Sequence, residues 1–196
     1  VPQLGDGRGV LLGEIKVKDK YLDIHVKGSG KTPYSRFGDG RAVLRSSLRE
    51  YLCGEAMHGL GIPSSRSLMI FGSDDIVYRE KSETAAMIVR TAGTHIRFGS
   101  FEKFYHDGLF DRHKELCDYA ISQYFPDKDK LNNKYAHLLE NIVTRTASLI
   151  AHWQSVGFCH GVMNTDNMSI LGETLDYGPF GFIDNFSPSH VCNLSD

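Results

Sequence analysis

The segment HGVMNTDNMSILGETLDYG, residues 160–178, decides the interpretation of this chain. His160 opens it, Asn167 stands seven residues later, and Asp176 begins the closing triplet DYG. We expect a short pair of strands between these motifs, so that the Asn167 amide and the Asp176 carboxylate face each other across a hairpin. Amide and carboxylate oxygens suit Mg²⁺ bound to nucleotide phosphates. The segment therefore predicts a magnesium–nucleotide site.

The spacing of these residues matches two motifs of protein kinases. In kinases a catalytic loop H-R-D-L-x-x-x-N precedes the metal-binding D-F-G. Asn167 and Asp176 stand where the two metal ligands would be. The third position of the loop, where kinases carry the catalytic Asp, is Val162. The motif predicts the frame of a phosphotransferase that lacks the usual base.

Composition narrows the class of protein. The chain has 196 residues, enough for one domain or two small lobes, and it is 41% hydrophobic and 23% charged. A formal net charge of -2 provides no basic field, so we expect no nucleic-acid partner. No apolar run approaches the roughly 18 residues of a membrane span, so we expect no membrane partner. The four widely spaced cysteines predict mainly buried free thiols and a reducing compartment.

Hydrophobic periodicity predicts strands first and helices later. Strands are expected at residues 10–17, 21–27, 67–71, 76–79 and 86–91. Helices are expected at 42–59, 111–125 and 131–153, with helical character from Phe101 onward and a stop at Gly157. In the first helix the apolar stripe comprises Leu44, Leu48, Tyr51, Leu52 and Ala56. These patterns predict an α+β fold.

A lysine and a glutamate are spaced like the phosphate-binding pair of kinases. Lys27 ends the polar face of an alternating strand, and Glu50 lies off the apolar stripe of the following helix, where it should be half-buried and need a cationic partner. The alternative is an ordinary surface lysine. The nearby GSGKT at 28–32 is not a Walker A loop, because His25 replaces its first glycine.

Glycines and arginines form further candidate anion sites. The tetrapeptide G-D-G-R occurs at 5–8 and again at 38–41, where backbone N–H groups and a guanidinium could bind phosphate. Arg90 and Arg97 flank a short polar segment and could clamp a triphosphate. Solvated turns and structural salt bridges remain the alternatives. We expect His160 to pack the catalytic loop rather than bind metal.

These segments together resemble the selenoprotein O family from one end of the chain to the other. The likeness rests on PQLGDGR at 2–8, KGSG at 27–30, TPYSR at 32–36, DGRAVLRSS at 39–47, HGVMNTDNMSI at 160–170 and DYGPFGF at 176–182. The resemblance implies a protein-kinase-like two-lobed fold, with a strand-rich N-lobe containing one helix at 1–98 and a partial, mainly helical C-lobe at 99–196. Because family members are longer, the chain is expected to be truncated at both ends.

The resemblance also implies an activity. The family binds ATP in a reversed orientation and transfers AMP to the Ser, Thr or Tyr hydroxyls of protein substrates, releasing pyrophosphate, with Mg²⁺ or Mn²⁺ as cofactor. A conventional kinase and a non-catalytic nucleotide-binding module remain the alternatives. The reducing compartment that the cysteines indicate fits the bacterial cytoplasm, and the eukaryotic relatives of the family leave the mitochondrion as the alternative for a eukaryotic protein.

Residue roles follow from the same resemblance. Asp166 would accept the proton of the substrate hydroxyl, and Asn167 and Asp176 would bind the metal. The residues implied to contact the nucleotide are Gly5, Gly7, Arg8, Lys27, Asp39, Gly40, Arg90, Arg97 and Asp176, with Glu50 as the partner of Lys27.

Overall fold

The computed structural model describes residues 7–125 and 133–193, and within them it contains strands and helices in an α+β arrangement. The strands are β1 (Gly9–Val17), β2 (Lys20–Lys27), β3 (Ala42–Val43), β4 (Arg66–Tyr78), β5 (Ser82–Ala92), β6 (Phe158–Cys159) and β7 (Gly181–Phe182). The helices are α1 (Leu44–Gly59), α2 (Phe98–His106), α3 (Phe110–Tyr124) and α4 (Lys134–Ser155). The predicted α+β class is confirmed.

The main sheet is antiparallel and is organised around β5. Strand β2 pairs with residues 88–92 of β5, and β3 pairs with residues 85–86 of the same strand. Strand β1 pairs with β2 and so extends the sheet. Strand β4 pairs with β5 over most of its length. The predicted strands at 67–71 and 76–79 are therefore parts of one strand, whose register shifts between Gly72 and Ile76.

The polar face of β2 is the buried one. Asp23, His25 and Lys27 alternate along this face and are all shielded from solvent, whereas the apolar residues between them are only half-buried. Burying such groups is costly unless each finds a partner. Lys27 is therefore not the surface lysine of the alternative interpretation, and its strand delivers polar groups to the interior.

Helix α1 also buries a different face from the one predicted. Leu48 and Leu52, which belong to the apolar stripe of the sequence, are 45% and 66% exposed. Ser47, Glu50, Cys53, Gly54 and Met57 are buried instead. Glu50 is fully rather than half buried, because this face meets the cationic side chains of the sheet.

Several helix boundaries in the structure differ from those predicted from the sequence. Ala42 and Val43 extend the sheet as β3, so α1 begins at Leu44 and not at Ala42. Helix α2 begins at Phe98, before the predicted onset of helical character, and α3 matches its prediction within one residue at each end. In α4, Asn133 caps the N-terminus by accepting hydrogen bonds from the backbone of residues 135 and 136. The predicted start of this helix, Leu131, lies outside the described residues.

After α4, the short strands β6 and β7 pair and bring the two ends of the segment between them together. Gly157, with a positive φ of 67°, ends the helical region as predicted, and β6 then pairs with β7. The expected strand pair between Asn167 and Asp176 is reduced to a single bridge between Met168 and Thr174. The neighbouring backbone groups pair with other segments instead, since the Ile170 N–H donates to the Ile96 carbonyl at 3.3 Å and the Thr174 N–H donates to the Pro63 carbonyl at 3.0 Å.

A hydrophobic cluster joins α1, α4 and the segment between β6 and β7. It includes Met57 from α1, Trp153 from α4, and Met168 and Tyr177 from the segment. This packing fixes the predicted motif segment against both helices. The four cysteines are free, and only Cys53 and Cys117 are buried, the other two being half-buried.

Candidate nucleotide-binding site

Four charged side chains form a closed network where β2, β5, α1 and the DYG triplet meet. Lys27 Nζ lies 2.7 Å from Glu50 Oε2 and also contacts Asp176 Oδ1. Arg90 Nη1 lies 2.9 Å from Glu50 Oε1 and 3.1 Å from Asp176 Oδ1. Two cations and two anions thus alternate, and each carboxylate lies between the two cations. The sequence predicted a cationic partner for Glu50, and the structure provides two, Lys27 and Arg90.

Asp176 is held in its ionised form by this network. Burial by itself would raise the pKa of its carboxyl group, but the charges of Lys27 and Arg90 and the hydrogen bond from Lys27 outweigh burial. The result is a pKa well below the ordinary value for aspartate. An ionised carboxylate is what a metal ligand requires.

The loop between His160 and Asn167 orients the amide of Asn167. The Asn167 Nδ2 atom donates a 3.0 Å hydrogen bond to the carbonyl oxygen of Val162. Because a carbonyl can only accept, the amide nitrogen must face it, and Oδ1 is directed away as an acceptor. His160 stacks on Trp153 with ring centroids 5.1 Å apart and accepts a bond from the Val162 N–H. The predicted packing role of His160 is confirmed.

Helix α2 attaches Arg97 to the same loop. The Phe98 N–H donates to the Met168 carbonyl at 3.0 Å, and the Gly99 N–H donates to the Thr165 carbonyl at 2.9 Å. Arg97, at the N-cap of α2, forms a backbone bridge with Ser169. These contacts place the Arg97 side chain on the wall of the cavity that also contains Asp166.

The glycine-rich segments contact each other beside the same cavity. The Gly28 N–H donates to the Arg8 carbonyl at 2.6 Å, and the Gly30 N–H donates to the Gly40 carbonyl at 3.1 Å. Asp39 accepts from the Arg41 N–H at 2.9 Å and from both terminal nitrogens of Arg79. The hydrogen bond from Arg79 lowers the Asp39 pKa to about 2. Asp39 is therefore ionised, and its carboxylate is already hydrogen-bonded to Arg79 and to the Arg41 N–H.

One cavity of about 620 Å³ brings most of the predicted residues together. Its lining includes Gly7, Arg8, Lys27, Asp39, Gly40, Arg90, Arg97, Asp166, Asn167 and Asp176. Glu50 lies behind the wall, bonded to Lys27 and Arg90. Gly5 lies outside the described residues. The shared location supports the predicted set, and the role of each residue stays a prediction.

Sequence reasoning missed several residues of this cavity. Phe37, Tyr78 and Arg79 also line it, and His25 contacts Arg90 from behind. Arg79 had a weak signal, as an arginine that follows an apolar strand. Phe37 could have been noticed as an aromatic residue between two glycine-containing turns.

The residues present fit a Mg²⁺ ion that is shared with a nucleotide. Across residues 7–125 and 133–193 there is no group of three His, Cys, Asp or Glu side chains that could hold a metal. Asn167 and Asp176 would supply one oxygen each, and Mg²⁺ usually completes its octahedron with phosphate oxygens and water. This donor set favours a hard cation that binds together with a phosphorylated ligand.

None of the helices in the described parts of the chain combines the length and apolarity needed to cross a bilayer.

Comparison with known proteins identifies the family. The family described as Protein adenylyltransferase SelO matches residues 1–196. A protein nucleotidyltransferase YdiU from Aliivibrio salmonicida is 60% identical over 196 residues, which are 100% of this chain and 40% of that protein. Proteins of the same name from Myxococcus xanthus and Pseudoalteromonas atlantica are 58% and 59% identical, over 100% of this chain and 40% and 41% of their own lengths. The chain thus spans about two fifths of the length of these relatives. It belongs to the SelO family of protein adenylyltransferases.

Proposed function

We propose that the protein transfers AMP from ATP to hydroxyl groups of Ser, Thr or Tyr residues in other proteins and releases pyrophosphate. The family match and the bacterial relatives named protein nucleotidyltransferase support this activity. The proposal includes a kinase-like two-lobed fold, with residues 1–98 as the nucleotide-binding lobe and 99–196 as part of the helical lobe. Mg²⁺ is the proposed cofactor, with Mn²⁺ as the second candidate, and the bacterial cytoplasm is the proposed location.

The observation that carries the proposal is the position of Asp166. Among the described residues that line the cavity, the carboxylates are Asp39, Asp166 and Asp176, and only Asp166 takes part in no ion pair. Its Oδ1 atom is buried without a hydrogen-bond partner in the described structure. Val162, at the position of the kinase base, does not line the cavity. A carboxylate with an unused acceptor is suited to take a proton.

In the proposed reaction the acceptor hydroxyl oxygen forms a bond to the α-phosphorus of ATP. The bond from that phosphorus to the bridging oxygen breaks, and the pyrophosphate group leaves with the bonding electron pair. The proton of the hydroxyl passes to the Asp166 carboxylate. Lys27, Arg90 and Arg97 stabilise the negative charge on the phosphates and fix their position. A bound Mg²⁺ would neutralise further phosphate charge, held by Asn167 and Asp176.

Two radioactive labels test this function. The full-length protein is incubated with Mg²⁺, a protein acceptor and ATP labelled at either the α- or the γ-phosphorus. Covalent α-label with free pyrophosphate is the expected result. Covalent γ-label would show a conventional kinase, and ATP binding without either covalent label would show a non-catalytic nucleotide-binding module; both results contradict the proposal.

Variants assign the proton acceptor in the same assay. Asp166→Asn should lower the transfer rate at least 100-fold while ATP still binds, because general base catalysis contributes roughly 10²–10⁴-fold. Asp74→Asn is the matched control, since Asp74 is an exposed carboxylate that does not line the cavity. Equal activity of the two variants would remove Asp166 from the mechanism.

A further inference from the structure

The loop around Asp166 is bound to the first turn of α2. The Gly99 N–H donates to the Thr165 carbonyl at 2.9 Å, and the Phe98 N–H donates to the Met168 carbonyl at 3.0 Å. The first N–H groups of a helix have no partner within the helix, so these two are available to the loop. The loop is thereby fixed immediately before Asp166 and again two residues after it.

The two anchors are spaced differently on the helix and on the loop. Their donors are adjacent residues of α2, whereas their acceptors are three residues apart. The two loop residues between the acceptors, Asp166 and Asn167, are therefore left out of this pairing with α2, and both line the cavity. Arg97, which lines the same cavity, directly precedes the helix. The start of α2 thus sets where the proposed base lies relative to an arginine that is proposed to bind phosphate.

A side-chain bond adds a third contact with the same helix. Thr165 Oγ1 donates to Glu102 Oε2 at 2.6 Å. Glu102 lies three and four positions after Gly99 and Phe98, and residues at these spacings share one face of a helix. One face of α2 therefore holds Thr165 through both its carbonyl and its hydroxyl, one position before Asp166.

The bond between Thr165 and Glu102 lies at the surface. Thr165 is exposed, and the Glu102 side chain is 43% exposed. Water would satisfy both groups if the bond broke, so the bond adds little to the stability of the fold. A short hydrogen bond to a carboxylate nevertheless fixes the geometry of its donor. Here the donor adjoins the residue that must meet the acceptor hydroxyl.

We propose that Glu102 and Thr165 are positioning residues for AMP transfer, which hold Asp166 at the acceptor hydroxyl. The inference rests on the proposed function, in that Asp166 is the proton acceptor. Neither residue is among those that line the cavity, so both act through the backbone of the loop. The side chain of Asn167 has its own bond to the Val162 carbonyl, so this proposed metal ligand depends less on the contact with α2.

Isosteric replacement tests this role in the full-length protein. Thr165→Val removes the hydroxyl with little change of shape, and it should lower kcat for AMP transfer about tenfold. The reason is that misplacing a reacting group by about 1 Å can cost on the order of 100-fold, and the backbone anchors limit the movement. The dissociation constant of ATP in Mg²⁺, measured by calorimetry, should change less than twofold. Thr165→Ser keeps the hydroxyl and should restore most of the activity.

A double-mutant cycle shows whether the two side chains act through one bond. Glu102→Ala should lower kcat as much as Thr165→Val does, and the double variant should be no slower than either. Glu102 Oε1 also lies 3.6 Å from His106 Nε2, and Thr165→Val leaves that contact intact. Losses that multiply in the double variant would contradict a shared bond.

Matched variants elsewhere control for general effects of the substitutions. Thr144→Val removes an exposed hydroxyl from α4, and Glu115→Ala removes an exposed carboxylate from α3. Both should leave kcat unchanged. Three results would overturn the proposal: an unchanged kcat in Thr165→Val, a loss that Thr165→Ser shares, or a fall in ATP affinity as large as the fall in kcat.

Hydrogen exchange separates this inference from the proposed function. Exchange of the peptide covering residues 160–170 is followed by mass spectrometry, and it should be faster in Thr165→Val and Glu102→Ala than in Thr165→Ser. This pattern in a protein that transfers no AMP would overturn the proposed function and the role in transfer, while the attachment of the loop to α2 would stand. AMP transfer at an equal rate in all three variants would leave the function standing and remove the positioning role.

Discussion

Arg90 Nη2 lies 3.0 Å from Nδ1 of His25, behind the wall of the candidate nucleotide cavity. Because a guanidinium can only donate, Nδ1 is the acceptor, and the proton of the neutral ring is on Nε2. His25 also stacks on His95 with ring centroids 4.6 Å apart, and His95 bonds to Asp23 at 3.0 Å. The buried polar face of β2 therefore supports an arginine of the site from behind.

We expect this acceptor to matter for phosphate binding and transfer. His25→Phe keeps a ring for stacking on His95 but removes the acceptor, and it should lower kcat/KM for ATP about tenfold, since a hydrogen bond to a charged group contributes roughly 1.5–3 kcal/mol. His25→Asn offers a side-chain oxygen near the same position and should restore most of the activity. Steady-state kinetics with thermal melting of both variants checks this, and equal activity of the two would exclude a positioning role.

Glu50 should be a major contributor to stability. Glu50→Gln removes the anion that Lys27 and Arg90 share in the interior, and breaking a buried ion pair from one side costs about 3–5 kcal/mol. Urea unfolding should show the loss. Glu83→Gln breaks an ion pair with the exposed side chain of Arg45 and serves as the control, with a much smaller expected change. A Glu50→Gln protein as stable as this control would contradict the network interpretation.

Gly40 should be required for the shape of the glycine-rich loop. Its φ is 71°, and an added Cβ would overlap the Gly30 carbonyl group. Gly40→Ala must therefore displace Gly30 or Asp39, and we expect ATP affinity to fall about tenfold or more while the fold persists. Gly72→Ala in β4 meets no atom within 4 Å and has no positive φ, so it should bind ATP normally. Calorimetric titration compares the two variants.

Glu173 should make stability depend on pH. Burial raises its pKa, although its Oε2 atom accepts a 3.1 Å bond from the Gly93 N–H and Arg145 opposes the shift. A raised folded-state pKa means that the native state holds this proton more tightly than the unfolded chain, so stability falls as pH rises from the unfolded pKa of about 4.5 through the folded value. Glutamine stays neutral and keeps the acceptor. Glu173→Gln should therefore raise Tm more at pH 7.5 than at pH 5, and an equal change at both pH values would contradict this assignment.

Local sequence patterns located the strands and helices better than they identified the buried face of each. Alternation located β2, and helical spacing located α1 and α3 within one or two residues. The apolar stripe with Leu48 and Leu52 was nonetheless the wrong face, because burial of Glu50 depends on cations that come from other strands. Hydrophobicity along one helix carries no information on such partners. For the same reason Asp39 could be assigned to the site, but its engagement with Arg79 could not be foreseen.

The sequence by itself determined the chemistry that is available. The spacing of His160, Asn167 and Asp176, and an end-to-end resemblance that the family match confirms, require only the order of residues along the chain. The tertiary structure decided which charges are neutralised and which are left to act. Asp176 and Lys27 are 149 positions apart and in contact, and Asp166 keeps a buried oxygen that finds no hydrogen-bond partner among the described residues. Pairing of this kind depends on distance in space, which arises only when β2, β5 and the DYG segment pack together.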